Sequence, residues 1–240
     1  MTETHRLLDH LVFAFLLIVP LVEWRWSWPR YLRRLATGAP GIRLRYLRSL
    51  AIGEWVPALV LLGAWAISGR PWRDIYLTAP LNWRMAGGLA YAAVLVAVLV
   101  VQRRMILKRP EAIERVRKML KYAEPLLPHT PAERKTFWLV SITAGVCEEF
   151  FYRGFLTWYL TVWIGLVPAI LLSTLIFGAS HVYLGALQIP RTALAGLVFA
   201  GLAWASGSLW PAMVLHAAMD WNSGELGFRI PSEPRDDAAG

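Results

Sequence analysis

The chain alternates between long apolar runs and short, strongly basic connections, and this alternation leaves few folds open. The run from Met85 to Val101 carries no charge at all. About 20 apolar residues suffice to cross a bilayer as a helix. Inside lipid, backbone N–H and C=O groups must be satisfied within the segment, so such runs become helices. Composition agrees: 57% of the 240 residues are hydrophobic and 17% are charged, against about 25% charged in an ordinary soluble domain. The expected fold is all-α: a polytopic membrane helix bundle of about seven transmembrane helices, six to eight at the limits, forming one integral-membrane domain over 1–240.

The predicted helices run roughly over 7–23, 51–67, 85–101, 137–160, 162–184, 192–206 and 209–222, with ends set to about 2–4 residues. The first resembles a signal peptide, but Glu23-Trp24-Arg25-Trp26 follows the apolar core where a small-residue cleavage site would be needed, so it reads as an uncleaved helix. Thirteen Trp suit membrane–water interfaces. The net charge of +9 sits in connections between apolar runs; topology accounts for it better than nucleic acid does, and no nucleic-acid partner is expected. Segment 24–50 carries seven Arg, and segment 102–136 carries ten basic residues against four Glu. Segment 68–84 has only Arg70, Arg73 and Arg84. The positive-inside rule then places the N-terminus outside and the C-terminus in the cytoplasm.

Within the second basic segment, Ile113, Val116, Met119 and Leu120 share one helical face opposite Arg115, Lys118 and Lys121. The expectation is an amphipathic helix over about 110–124 resting on anionic headgroups, with substrate gating as the alternative. Pro125, Pro128 and Pro131 then break the chain. Residues 1–136 therefore read as N-terminal helices with basic cytoplasmic connections, 137–222 as the core that carries the chemistry, and 223–240 as a loose, polar cytoplasmic tail.

Charge inside the 137–160 run is the exception to its apolar character. Cys147-Glu148-Glu149-Phe150-Phe151-Tyr152-Arg153 places three ionisable groups where they cost several kcal/mol unless compensated, which marks function by default. Glu149 and Arg153 are four residues apart and share a face, so they can pair. Glu148 is rotated from Glu149 by about 100° and is free to act as a base. A structural ion pair would explain Glu149 and Arg153 but not the second Glu. Two further sites join them: Phe177 and His181 on the fifth helix, separated by small residues that permit close helix approach, and His216 with Asp220 on the seventh, stacked at i, i+4. Alone, His181 reads as a satisfied interhelical bond, and His216 with Asp220 as an isolated pair tying off a helix end near the cytoplasm. Together, acid, His and His–Asp groups on separate helices suggest one polar pocket in the bundle core, within the last four helices.

Such a set supports two chemistries. A carboxylate and a His can activate water against a peptide carbonyl while other donors steady the oxyanion. Alternatively Glu, His, His and Asp can hold a divalent metal, although the His-Glu-x-x-His pattern of zinc proteases is missing from the fourth helix. The one cysteine, Cys147, lies about 100° from Glu148 around the helix and has no basic neighbour in sequence to activate it, so a thiol nucleophile is not expected.

These residues resemble the type II CAAX prenyl endopeptidase and bacteriocin-processing group (CPBP, Abi) of intramembrane proteases. That family's patterns stand here as Glu148-Glu149-x-x-x-Arg153, Phe177-x-x-x-His181 and His216-x-x-x-Asp220, in order on consecutive apolar segments and supported by Tyr152-Arg153-Gly154-Phe155. The resemblance covers about residues 135–222. It implies a glutamic-type endopeptidase without a cofactor, in which Glu148 with His181 activates water, His216 and the residue at 220 stabilise the oxyanion, and Glu149, Arg153 and Phe177 support them. Asp220 stands where the prenyl-protease branch carries Asn. An ionised Asp cannot donate a hydrogen bond. Either Asp220 is protonated, or, as preferred, it orients His216 and His216 alone donates.

The expected partners are the lipid bilayer and a membrane-associated protein or peptide cut near its C-terminus. Eukaryotic relatives act on prenylated CAAX tails. Prokaryotic relatives are linked to peptide maturation, bacteriocin self-immunity and sorting-tail processing. The compact, Arg-rich chain with short connections looks prokaryotic, so an inner-membrane location and a substrate without a prenyl group are expected. The sequence leaves open the oligomeric state and a zinc-dependent version of the same protease. A non-catalytic reading, as an immunity scaffold or a proton-coupled transporter, also stands, though no inverted repeat relates the halves as in many transporters.

Overall fold

The computed structural model describes residues 3–230, with side chains from Leu7 onward. All regular structure among these residues is helical. The elements are α1 (Glu3–Val22), α2 (Trp28–Leu35), α3 (Ile42–Gly53), α4 (Trp55–Ile67), α5 (Trp83–Ile106), α6 (Pro110–Leu120), α7 (Pro131–Glu149), α8 (Thr157–Ile164), α9 (Leu166–Ser180), α10 (Gln188–Ser206) and α11 (Trp210–Arg229). π-helical turns at Glu23–Ser27 and Phe150–Leu156 join α1 to α2 and α7 to α8. Among the described residues, four stretches are long and apolar enough to cross a membrane: Leu7–Leu35, Ile42–Ile67, Trp83–Ile106 and Gln188–Ser206.

Polarity is arranged as lipid requires. Leu11, Ile18, Val60, Val94, Val98 and Leu175 are exposed, while Glu149, Arg153, Ser173 and His216 are buried. Lipid tails are as apolar as these outer side chains, so helix association rests on close packing and interior hydrogen bonds. Gly145 shows the closeness: a Cβ there would lie 2.7 Å from the backbone N of Ala217 and 2.8 Å from Met213 O. That approach brings α11 against α7 within one turn of Glu148 and His216. Gly145→Val is expected to destabilise the bundle by about 1–3 kcal/mol by overpacking, and to lower any activity of the site. Thermal unfolding of the detergent-solubilised protein measures the first effect.

Several expectations are corrected. Segment 24–50 is not a loop: it contains α2 and the first part of α3. Tyr31 stacks on Tyr46 with ring centroids 3.8 Å apart, and Trp28 lies 5.1 Å from the Tyr183 ring. These aromatic contacts continue the helices past the end of the apolar run. The two basic segments also fold onto each other, since the Tyr31 hydroxyl donates to Pro125 O at 2.5 Å and Arg43 pairs with Glu124 at 3.1 Å.

Helix α6 ends at Leu120 rather than near 124; a short 3-10 turn at Glu124–Leu126 follows. The predicted 162–184 helix is cut at its start by Gly165, whose φ of 78° interrupts the chain between α8 and α9. The loose tail expected from 223 is instead helix as far as Arg229. Glu225, 2% exposed, accepts from Arg134 Nε at 2.6 Å and Nη2 at 2.8 Å and from Trp138 Nε1 at 3.1 Å, tying α11 to α7. The remainder of that tail, 231–240, lies outside the described residues.

Candidate active site

The π turn after α7 sets the site. Glu148 and Glu149 close α7, and the turn from Phe150 to Leu156 bonds i to i+5. Its loosened ladder is satisfied laterally: Tyr152 O accepts from Thr157 Oγ1 at 2.9 Å and from Ser173 Oγ of α9 at 2.7 Å. Irregular backbone survives at membrane depth only where such partners bury it in protein. π turns inside helices frequently mark functional positions.

Glu149 Oε1 accepts from two basic side chains. Arg153 Nη1 donates at 2.9 Å and His216 Nδ1 at 2.8 Å. The Glu149–Arg153 pairing read from spacing is present, and Glu149 has a second partner that spacing did not reveal. His216 Nε2 then faces Glu148 Oε2 at 3.8 Å and Asp220 Oδ2 at 3.6 Å. Two expectations change as a result. Glu148 and Glu149 do not address separate surroundings, since they approach the same imidazole from its two nitrogens. The carboxylate that holds the His216 ring is Glu149 rather than Asp220, because Glu149 occupies Nδ1 at hydrogen-bond distance while Asp220 stands farther off at Nε2.

His181 closes α9. Its Nδ1 lies 2.9 Å from Phe177 O. A carbonyl only accepts, so Nδ1 carries a proton, and in the neutral ring Nε2 then keeps its lone pair. No hydrogen bond or ion pair joins His181 to Glu148 among the described residues; His181 lies in electrostatic reach of Asp220 and His216. Phe177 supports the charged groups from below: the Arg153 guanidinium sits 3.9 Å from its ring centroid, a cation–π contact strengthened by burial.

Three residues join the site without having been foreseen. Phe199 of α10 stacks on the His216 ring at 4.7 Å and 12°. Tyr183 stacks on His181 at 6.1 Å. Glu54, at the break between α3 and α4, is in electrostatic reach of Glu148, His216 and Asp220. The polar pocket expected within the last four helices therefore also draws on the N-terminal part. Glu54 carried part of the signal of Glu148, a carboxylate in an apolar run. Cys147 is wholly buried in the apolar core.

Among the described residues no group of three or more His, Cys, Asp or Glu side chains is arranged to hold a metal ion. A cavity of about 530 Å³ lined by Val94, Val98, Met105 and Ala112 lies elsewhere, between α5 and α6.

Fold and site together define an integral-membrane helical bundle with a buried Glu149–Arg153–His216 cluster and a half-buried Glu148 beside it. Residues 132–222, which contain every site residue expected from sequence, match the family model for type II CAAX prenyl endopeptidase Rce1-like, which supports a protease of the CAAX type. No curated protein and no solved structure matches the chain.

Proposed function

We propose that the protein is a glutamic-type intramembrane endopeptidase that hydrolyses a peptide bond near the C-terminus of a membrane-associated protein or peptide. The observation that carries this reading is the unequal treatment of two adjacent carboxylates. Glu149 is fully buried and engaged, its Oε1 bound to Arg153 and His216 although its Oε2 has no partner, whereas Glu148 is partly exposed and no hydrogen bond among the described residues engages it. A carboxylate left open in this way is available to take a proton from water.

In this mechanism Glu148 removes a proton from a water molecule as its oxygen attacks the scissile carbonyl carbon. His181, through its unprotonated Nε2, helps to position that water. The carbonyl π bond opens to an oxyanion. His216, held through Nδ1 by Glu149, donates from Nε2 to that oxyanion. Glu148 then returns the proton to the leaving nitrogen as the C–N bond breaks, giving a carboxylic acid and an amine. Water is the nucleophile, so no acyl-enzyme forms. Asp220 lies on the Nε2 side of His216 and steadies the charge on its ring.

The proposed topology has the N-terminus outside and the C-terminus in the cytoplasm. The contacts of Tyr31 with Pro125 and of Arg43 with Glu124 support it by gathering both Arg-rich segments at one end of the bundle. No cofactor enters the mechanism. Activity is expected to survive exhaustive chelation, measured by mass spectrometry of a lipid-tethered peptide incubated with the purified protein. Loss on chelation that Zn²⁺ restores would replace the water–carboxylate mechanism with a zinc-dependent one.

A further inference from the structure

Glu54 lies outside the matched stretch and on the N-terminal half of the bundle, yet it faces the same chemistry. It ends α3 and begins α4 inside the Ile42–Ile67 span. Two bonds clamp this joint to α7: Trp55 Nε1 donates to Thr143 Oγ1 at 2.8 Å, and Thr143 Oγ1 donates to Ala51 O at 3.1 Å. Thr143 is one helical turn before Cys147, so the clamp sets Glu54 beside the turn that presents Glu148. Both Glu54 and Glu148 act electrostatically on Cys147, Tyr152 and Tyr183.

Glu54 Oε2 has no exposed surface and no hydrogen-bond partner among the described residues. Glu148 Oε2 is in the same condition. The nearby basic groups are engaged elsewhere: Arg153 Nη1 with Glu149, its Nη2 buried without a partner, and His216 with Glu149 at one nitrogen and Glu148 and Asp220 at the other. Glu148 and Asp220 thus share one imidazole nitrogen, and no hydrogen bond or ion pair among the described residues engages Glu54. A buried carboxylate without a partner is costly, and the penalty is relieved by an incoming positive charge that brings its own donors. A peptide with only apolar side chains would leave the Glu54 oxygen as it is.

We propose that Glu54 is a specificity-determining residue that receives a cationic side chain, Lys or Arg, next to the scissile bond of the substrate. The inference rests on the endopeptidase reading above. An ammonium or guanidinium group entering this pocket supplies donors to Glu54 and offsets the surplus of negative charge. A site built around an unpaired buried polar group rejects analogues that lack the matching group more strongly than an apolar pocket rejects a missing methylene.

The test uses the full-length protein in proteoliposomes with single-span reporter peptides. Pairs of peptides differ only by Lys or norleucine, scanned along the stretch around the cleavage point. At one position the wild-type protein is expected to favour Lys by at least about tenfold in kcat/KM, a discrimination within the range that such sites achieve. Glu54→Gln is expected to bring that ratio near unity, and Glu54→Lys to turn the preference toward a Glu-containing peptide. A merely structural Glu54 would lower both members of a pair alike and leave the ratio unmoved. Binding of the same peptides to Glu148→Gln protein in nanodiscs, read by fluorescence anisotropy, should show the Lys preference without turnover. Cleavage by wild-type protein with no Lys preference at any position, or a ratio that survives Glu54→Gln, overturns the inference and leaves the endopeptidase reading standing. Failure of wild-type protein to cleave any peptide, with no Lys-dependent binding, overturns both.

Discussion

Replacing Glu148 by Gln is expected to lower peptide cleavage to background while the protein stays folded in the membrane. General-base catalysis contributes about 10²–10⁴-fold to rate, and a neutral amide cannot accept the water proton. The same substitution removes little that holds the fold. Glu148 Oε2 has no hydrogen-bond partner, and its closest cation, His216 Nε2, is 3.8 Å away, too far for a hydrogen bond. Gln has nearly the same shape and relieves one of the negative charges that crowd His216. The unfolding midpoint in detergent should therefore stay close to that of the wild type as the rate collapses. A Glu148→Gln protein that cleaves at the normal rate would rule out Glu148 as the base.

The site was legible in sequence where chemistry and spacing coincide. Glu148, Glu149 and Arg153 stand out because charge inside an apolar run must be compensated. His181, His216 and Asp220 stand out because each sits at i, i+4 from a plausible partner on its own helix. Relations between helices were not legible. That Glu149 rather than Asp220 holds the His216 ring depends on how close α11 comes to α7, which Gly145 permits. The π turn over Phe150–Leu156 is equally hidden, because the groups that stabilise its backbone include Ser173 on another helix.

The bundle was legible from apolar runs, and its extensions were not. Hydropathy marks the lipid-facing part of a helix and stops at the first charges. Helices α2 and α11 continue past that point for reasons of packing: Trp28 and Tyr31 are buried among aromatic rings, and Glu225 is bound to Arg134. Glu54 was visible as a residue but not as a neighbour, since nothing in the run from 51 to 67 shows which helix its side chain meets.

The cluster of Glu149, Arg153 and His216 leads to the second large effect, in which stability and activity part company. Glu149 is fully buried and Arg153 is 2% exposed. Arg153→Leu leaves Glu149 without one of its two hydrogen-bond partners and strips the guanidinium from the Phe177 face. Breaking a buried pair from one side costs about 3–5 kcal/mol, so this variant is expected to unfold at markedly lower temperature and to lose activity. Replacing both members, Glu149→Leu with Arg153→Leu, removes the stranded charge. Apolar replacement of a whole buried pair is often neutral, so much of the lost stability should return, giving the non-additivity expected of residues in contact. Activity should not return with it. In the double variant His216 Nδ1 has lost its acceptor, and nothing then fixes the ring so that Nε2 points at the oxyanion. The decisive measurement is the pair of values, unfolding midpoint and cleavage rate, for the two single variants and the double. Recovery of both in the double variant would reduce Glu149 to a packing role; recovery of stability alone assigns it the positioning of His216.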